Sequence, residues 1–135
     1  NVDCRRVGGG AQQLGEFLYE LAQLAPCLYI VNGLSIIEAK ADMRAGRAEI
    51  STAKTPRGNT MVTVSSKDGG FKIKLNGDAA TEIQIEDPDE TDRPAVHVVD
   101  EGGRRHLTAV MLGEDAGVHF EILRGRWSSR VRLKA

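Results

Sequence analysis

The sequence predicts an α+β domain in which an N-terminal helix packs on one curved antiparallel β-sheet meander. Two patterns carry this prediction. Apolar residues at helical spacing precede Pro26, and short runs that alternate between apolar and polar residues follow it, separated by turn signals. The helical stripe faces the core and ends before the proline, which cannot continue a helix; its members are Leu14, Phe17, Leu18, Leu21 and Leu24.

The strands are predicted in chain order from the positions of the turns. Asn32-Gly33, a dipeptide that tolerates positive φ at both positions, predicts a hairpin between residues 27–31 and 34–41. Gly102-Gly103 predicts a later hairpin between residues 95–100 and 104–112. Residues 114–123 fit a helix with acids at its start, or a strand from residue 118. The other predicted strands include residues 61–64, 71–75 and 83–85.

Length and composition favour a single domain with an ordinary core. The chain has 135 residues, of which 41% are hydrophobic and 27% charged, as in globular proteins. Residues 1–10, which end in three glycines, are interpreted as a flexible lead-in, and residues 11–135 as the domain. A net charge of −1 argues against a dedicated nucleic-acid surface, and no apolar run approaches the length of a membrane span.

The two cysteines, Cys4 and Cys27, do not indicate a disulfide framework. One lies in the predicted lead-in and the other in a predicted strand, so both are expected to be reduced and unpaired. This favours a reducing compartment and, with no visible signal peptide, a cytoplasmic location.

No motif for nucleophilic catalysis, phosphate binding or zinc binding is present, and the chain is interpreted as a binding protein rather than an enzyme. Residues 86–92 carry five carboxylates, which could hold a cation, but they do not fit the EF-hand pattern. Counted from Asp87, the sixth residue is Asp92 instead of glycine and the twelfth is Val98 instead of glutamate, so a solvated loop is favoured. The basic tail around Trp127 fits either an anion site or a solvated terminal element; its members are Arg124, Arg126, Arg130, Arg132 and Lys134.

The order of several segments resembles the bacterial cytosolic haem-utilisation carriers (HutX/ChuX type), which are similar to one half of HemS-type haem-trafficking proteins. The resemblance covers residues 14–123. Its quoted segments are Leu24-Ala25-Pro26, Ile30-Val31, Ile36-Ile37-Glu38-Ala39-Lys40, Gly46-Arg47, Phe71-Lys72-Ile73-Lys74-Leu75, the stretch 98–103 and Val110-Met111-Leu112. The resemblance implies a homodimer and a carrier of haem or a similar ligand.

The chain departs from that family at the family's haem-ligating histidines. In the family a histidine follows Ile-Val, and Asn32 stands at that position in this chain. The family has a second histidine before Leu-Lys-Leu, and there this chain has Gly70, Phe71 and Ile73. None of these replaces an imidazole at iron. The resemblance favours a non-enzymatic carrier that binds haem or a similar ligand weakly. The alternative is a small-molecule or protein-interaction module on the same fold that has lost haem ligation. A third function, haem degradation, is disfavoured because no acid, base or nucleophile constellation supports it.

His97 and His106 are the candidate iron ligands, and Arg104 is assigned to the same cofactor-binding site. With a two-residue loop at Gly102-Gly103, Val99 pairs with His106 and His97 pairs with Thr108. The two histidines then lie diagonally on one face, about 7 Å apart. A three-residue loop would shift the register by one and separate them. The alternative is that both histidines are ordinary sheet residues.

Overall fold

The computed structural model describes residues 2–33, 35–86 and 93–133, with the backbone alone for residues 2–8. In these ranges the chain forms two helices and nine strands. Their bounds are α1 (Val2–Leu24), β1 (Cys27–Asn32), β2 (Ile36–Ala41), β3 (Ala48–Lys54), β4 (Thr60–Ser66), β5 (Lys72–Asn76), β6 (Glu82–Gln84), β7 (Ala95–Val99), β8 (Arg105–Met111), α2 (Ala116–Trp127) and β9 (Arg130–Arg132). The predicted α+β class is confirmed.

Helix α1 has the predicted apolar stripe on its buried side. Leu14, Phe17, Leu18 and Leu21 are fully buried, and the helix ends at Leu24, two residues before the proline. It begins at Val2, so the glycine run lies inside the helical span, where Gly9 breaks the geometry with φ 52° and ψ −128°. The segment predicted as a lead-in thus contains helical backbone.

The strands form two antiparallel sheets rather than the single sheet that the turn pattern predicts. One has six strands in the order β2-β1-β8-β7-β6-β9, and the other has three in the order β3-β4-β5. Successive strands pair for most of the chain, as a meander requires, but β1 pairs with β8, and their partners, from Val31 with Leu107 to Cys27 with Met111, are far apart in the sequence. That long-range pairing has no local signal in the sequence.

The first hairpin has a longer loop than Asn32-Gly33 alone predicts. Asn32 pairs with Ile36, so Asn32 belongs to β1 and the loop occupies residues 33–35. The partner strand therefore begins at Ile36 rather than at Leu34, and Leu34 itself lies outside the described residues.

Helix α1 lies against the three-stranded sheet, and two glycines permit the close approach. A Cβ atom at Gly15 would lie 3.0 Å from Cγ2 of Ile50, and one at Gly77 would lie 2.6 Å from Cβ of Ala11. Ordinary carbon contacts are about 3.5–4.0 Å, so Gly77 permits a helix–sheet distance that a larger residue would prevent.

Of the two interpretations of residues 114–123, the helix is the observed one. Helix α2 buries Ala116, Phe120 and Leu123, and Trp127 at its end meets Phe17 of α1 edge-to-face, with 5.3 Å between ring centroids. One core cluster collects apolar residues from both helices and both sheets, so the described chain is organised around a shared interior.

Candidate functional site

The candidate site lies on the face of the six-stranded sheet that points away from the core, called the outer face below. Cys27, Tyr29 and Met111 are fully or almost fully buried on the inner face, and the alternation of side chains places their neighbours on the other side. On the outer face, residues of the edge strands such as Ile36 and Arg130 are exposed. Many outer-face residues of the inner strands are half-buried and lie outside the core cluster; they include Leu28, Ile30, Asn32, Glu82, Gln84, Ala95, His97, His106, Thr108 and Val110.

The hairpin between β7 and β8 closes through a three-residue loop, not the two-residue loop that was predicted. Gly103 N–H donates to Asp100 O at 2.9 Å and Asp100 N–H donates to Arg104 O at 2.9 Å, so residues 101–103 form the loop. Gly103 adopts φ 83°, a left-handed conformation that suits glycine at the end of such a loop. Val99 consequently pairs with Arg105 instead of His106, which corrects part of the predicted register.

A β-bulge then restores the rest of that register. Val98 pairs with Leu107 and Val99 with Arg105, so His106 is an extra residue in β8. Beyond the bulge, His97 pairs with Thr108, as the two-residue loop had predicted. The one-residue shift of the loop and the one-residue insertion of the bulge cancel, and both histidines lie on the outer face.

His97 is held by Thr108 in a half-buried position. Its Nδ1 lies 2.8 Å from Thr108 Oγ1. Burial lowers the pKa of His97 below its usual value of 6.5, the charge of Arg105 lowers it further, and Glu86 opposes the shift. The imidazole is therefore neutral at pH 7, the protonation state that a metal ligand needs.

His106 is oriented by Asp100, a residue that sequence reasoning missed. His106 Nε2 lies 3.0 Å from Asp100 Oδ2, while Oδ1 of the same carboxylate accepts N–H bonds from Gly102 and Arg104. The bond to His106, followed by that from Arg104, holds the pKa of Asp100 below its usual range. An aspartate directly before a glycine-containing turn commonly accepts hydrogen bonds from the backbone of that turn, so this part of its role has a sequence signal. Its contact with His106 has none, because it depends on the bulge.

Arg104 contributes to the turn through its backbone, and its exposed side chain has no partner among the described residues. Asn32 is also at this site: Val31 pairs with Leu107, which places Asn32 and His106 one step further along the same two strands. Asn32 Nδ2 donates to Arg105 O at 3.2 Å. Phe71, at the family's second histidine position, is instead a core residue beside Tyr29, with 5.0 Å between ring centroids.

Two of the other sequence candidates lie apart from this site: His119 is on α2, and Arg126 forms an ion pair with Glu20. Arg130 of β9 lies on the outer face itself, because it pairs with Gln84, which pairs with His97. It forms ion pairs with Glu82 and Glu86. Residues 87–92, most of the acidic segment, lie outside the described residues. Within the part of the chain that is described, no group of three or more His, Cys, Asp or Glu side chains is placed to hold a metal ion.

The outer face thus offers two fixed imidazoles beside half-buried apolar surface, an arrangement suited to ligand binding. In the described ranges, no helix is long and apolar enough to cross a membrane. No model of a known protein family matches the chain, and a search of curated proteins finds no match either.

Proposed function

We propose that this chain is a non-enzymatic binding protein of the haem-carrier type, with its ligand site on the outer face at His97 and His106. The observation that carries the proposal is that these two half-buried histidines share one face of paired strands, each with one ring nitrogen held by a hydrogen bond. Such bonds fix the orientation of an imidazole and leave its second nitrogen to act as a ligand of iron.

The position of His106 supports the resemblance despite the missing family histidine. His106 lies across from Asn32, the residue that replaces the haem-ligating histidine of the carriers. An imidazole is thereby retained beside the same place in the sheet, supplied by the neighbouring strand. Because His106 is the bulged residue, its side chain is directed differently from that of a histidine within a regular strand.

The surroundings of the two histidines suit a flat, largely apolar ligand with acidic groups. Leu28, Ile30 and Val110 provide half-buried apolar surface on the same face. Arg104 and Arg105 are exposed next to His106, where guanidinium groups can bind carboxylates. Haem combines these properties; when bound, it would supply an iron centre that accepts an imidazole nitrogen.

Binding without catalysis is proposed because the acid–base groups are not arranged as a relay. Thr108 contacts His97, but Asp100 binds His106. A Ser/Thr–His–Asp triad needs the carboxylate and the hydroxyl on the same imidazole, one at each nitrogen. The three groups therefore form two separate pairs, each of which orients a side chain.

Titration of the purified protein with hemin tests the proposal through the Soret band. We expect a shift that the His97→Ala/His106→Ala double variant abolishes and that His119→Ala, the control on α2, leaves unchanged. Circular dichroism of each variant checks its fold. A strong axial-ligand spectrum that survives the double substitution would show that the assigned histidines are wrong.

The alternative is an interaction module on the same fold, and the edge strand β2 favours it. Ile36 and Ile37 are 68% and 61% exposed there, although β-branched residues at a sheet edge are usually covered. The same edge supports the proposed homodimer, by pairing with a second copy. If the parent protein shows no Soret shift with hemin, this alternative replaces the carrier proposal.

The free, buried Cys27 supports a location in the reducing cytoplasm for either function.

A further inference from the structure

A groove lies between α1 and the edge strand β3, and Arg126 of α2 also lines it. It has a volume of about 620 Å³ and follows both elements. The two run in opposite directions: Gln23 near the end of α1 accepts a hydrogen bond from Gly46 N–H, whereas Gly15 lies beside Ile50. A groove between a helix and an antiparallel strand edge beside it can hold a peptide in an extended conformation.

The backbone of β3 has its unused hydrogen-bonding groups on the groove side of the sheet. Arg47 O accepts from Lys67 N–H at 2.9 Å and Thr55 N–H donates to Asn59 O at 2.8 Å, so odd-numbered residues bond to β4. By alternation, the N–H and C=O groups of Ile50 and Thr52 point to the open edge. Within the described chain, no strand pairs with that edge.

The open edge of β3 is long and regular. Strand β3 has seven residues in continuous register with β4, without a bulge, and its two exposed charges, Glu49 and Lys54, have opposite signs. Strand β9 at the far edge of the other sheet has only three residues, and β5 presents two lysines, Lys72 and Lys74, to solvent. Length and regular register make β3 a template for an additional strand.

The charged side chains in the groove indicate which residue types an additional strand would carry. Glu20 is already engaged by Arg126 and by Nε1 of Trp127, at 2.9 Å. Glu16, one helical turn earlier on the same stripe, is exposed and has no ion-pair partner among the described side chains. Tyr19 beside it is 41% exposed, so a cation in the groove would meet both a carboxylate and an aromatic ring.

We propose that the groove binds an extended segment of a partner protein as a fourth strand next to β3, with a Lys or Arg side chain directed at Glu16. The segment bonds to the backbone of Ile50 and Thr52. Its residues opposite these two share their face of the sheet, so their side chains enter the groove beside α1. This site is separate from the outer face and does not depend on haem binding.

A phage-displayed library of random nonapeptides tests the backbone contact. The library is selected separately on the parent protein and on Thr52→Pro, and the enrichment of each peptide is compared between the two. Proline at this edge position removes an outward N–H without taking a bond from β4. We expect peptides with a basic residue at one position to be enriched on the parent only. On binding a synthetic peptide of the selected sequence, the amides of Ile50 and Thr52 should become protected from hydrogen exchange.

The charge contact is tested with that peptide and a twin in which its basic residue is replaced by Glu. Glu16→Lys should weaken binding of the basic peptide about fivefold and favour the acidic twin, because one ion pair is reversed. Glu49→Lys is the matched control, since it makes the same charge change on the other face of β3 and should leave the preference for the basic peptide intact.

Three results would overturn the proposal: no enrichment over Thr52→Pro, equal preference of the parent and Glu16→Lys for the two peptides, or an unprotected edge in the complex. A parent dimer that becomes monomeric in Thr52→Pro would also overturn it, because a second copy would then occupy β3. None of these readouts uses hemin.

Discussion

Replacing Gly77 by alanine tests the close approach of helix α1 to the three-stranded sheet. The added Cβ would lie 2.6 Å from Cβ and 3.2 Å from Cα of Ala11, and 3.1 Å from Cγ2 of Val62. Against an ordinary carbon contact of about 3.5–4.0 Å, the first distance is short by about 1 Å. Relief requires moving α1 or the sheet, because the Cβ and Cα atoms of Ala11 are fixed to the helix backbone.

We expect Gly77→Ala to reduce the free energy of unfolding by about 3 kcal/mol, the upper part of the range for overpacked cores. At roughly 3–4 °C per kcal/mol for a domain of this size, the melting temperature should fall by about 10 °C. Urea unfolding followed by circular dichroism measures the first quantity and thermal melting the second. Gly125→Ala, in α2 with no atom within 4 Å of the new Cβ, is the matched control and should be neutral or slightly stabilising.

A second substitution makes the reasoning refutable. Ala11→Gly alone should destabilise the helix by about 1 kcal/mol, but in the Gly77→Ala background it should stabilise the protein by removing the contacted methyl group. If Ala11→Gly destabilises both backgrounds equally, or if Gly77→Ala unfolds at the same urea concentration as the parent, the contact assigned to α1 is wrong.

Three further predictions concern titration, thiol reactivity and assembly. His97 should titrate below 6.5 by NMR; because its folded pKa is lowered, its contribution to stability is present above pH 6.5 and lost as the pH falls through the folded pKa, a loss that should be absent in His97→Ala. In a Cys4→Ser variant, Cys27 should react with a thiol reagent only after unfolding, since burial raises its pKa to about 12; rapid reaction in the folded state would contradict this. Sedimentation should find a dimer that Ile36→Lys/Ile37→Lys converts to monomers, and a monomeric parent at high micromolar concentration would reject the homodimer.

Much of the fold could be predicted because its signals are local. The apolar stripe of α1 and its end before Pro26 follow from helical spacing and from the chemistry of one residue. The hairpin at Gly102-Gly103 follows from turn preferences. For residues 114–123 the local pattern was insufficient, because a short apolar run fits both a strand and a helix. In the structure this segment is helical, and the helix buries Phe120 and Leu123 in the core.

The candidate site shows where local prediction ends. That His97 and His106 share a face was predicted, but through a two-residue loop that the chain does not have. The loop is one residue longer, and a bulge at His106 compensates for it. The roles of Asp100 and Thr108 as hydrogen-bond partners follow from this geometry, which no spacing in the sequence specifies.

By itself, the sequence determined the α+β class, the helix that covers a sheet, the positions of several strands along the chain and the residue types available for binding. Only the tertiary structure decided that the strands divide into two sheets, that β1 pairs with β8, and that β3 keeps an open edge beside α1. The physical reason is the range of the interactions: turns and helical stripes are set by neighbouring residues, whereas strand partnership and edge exposure depend on which distant surfaces bury the most apolar area together.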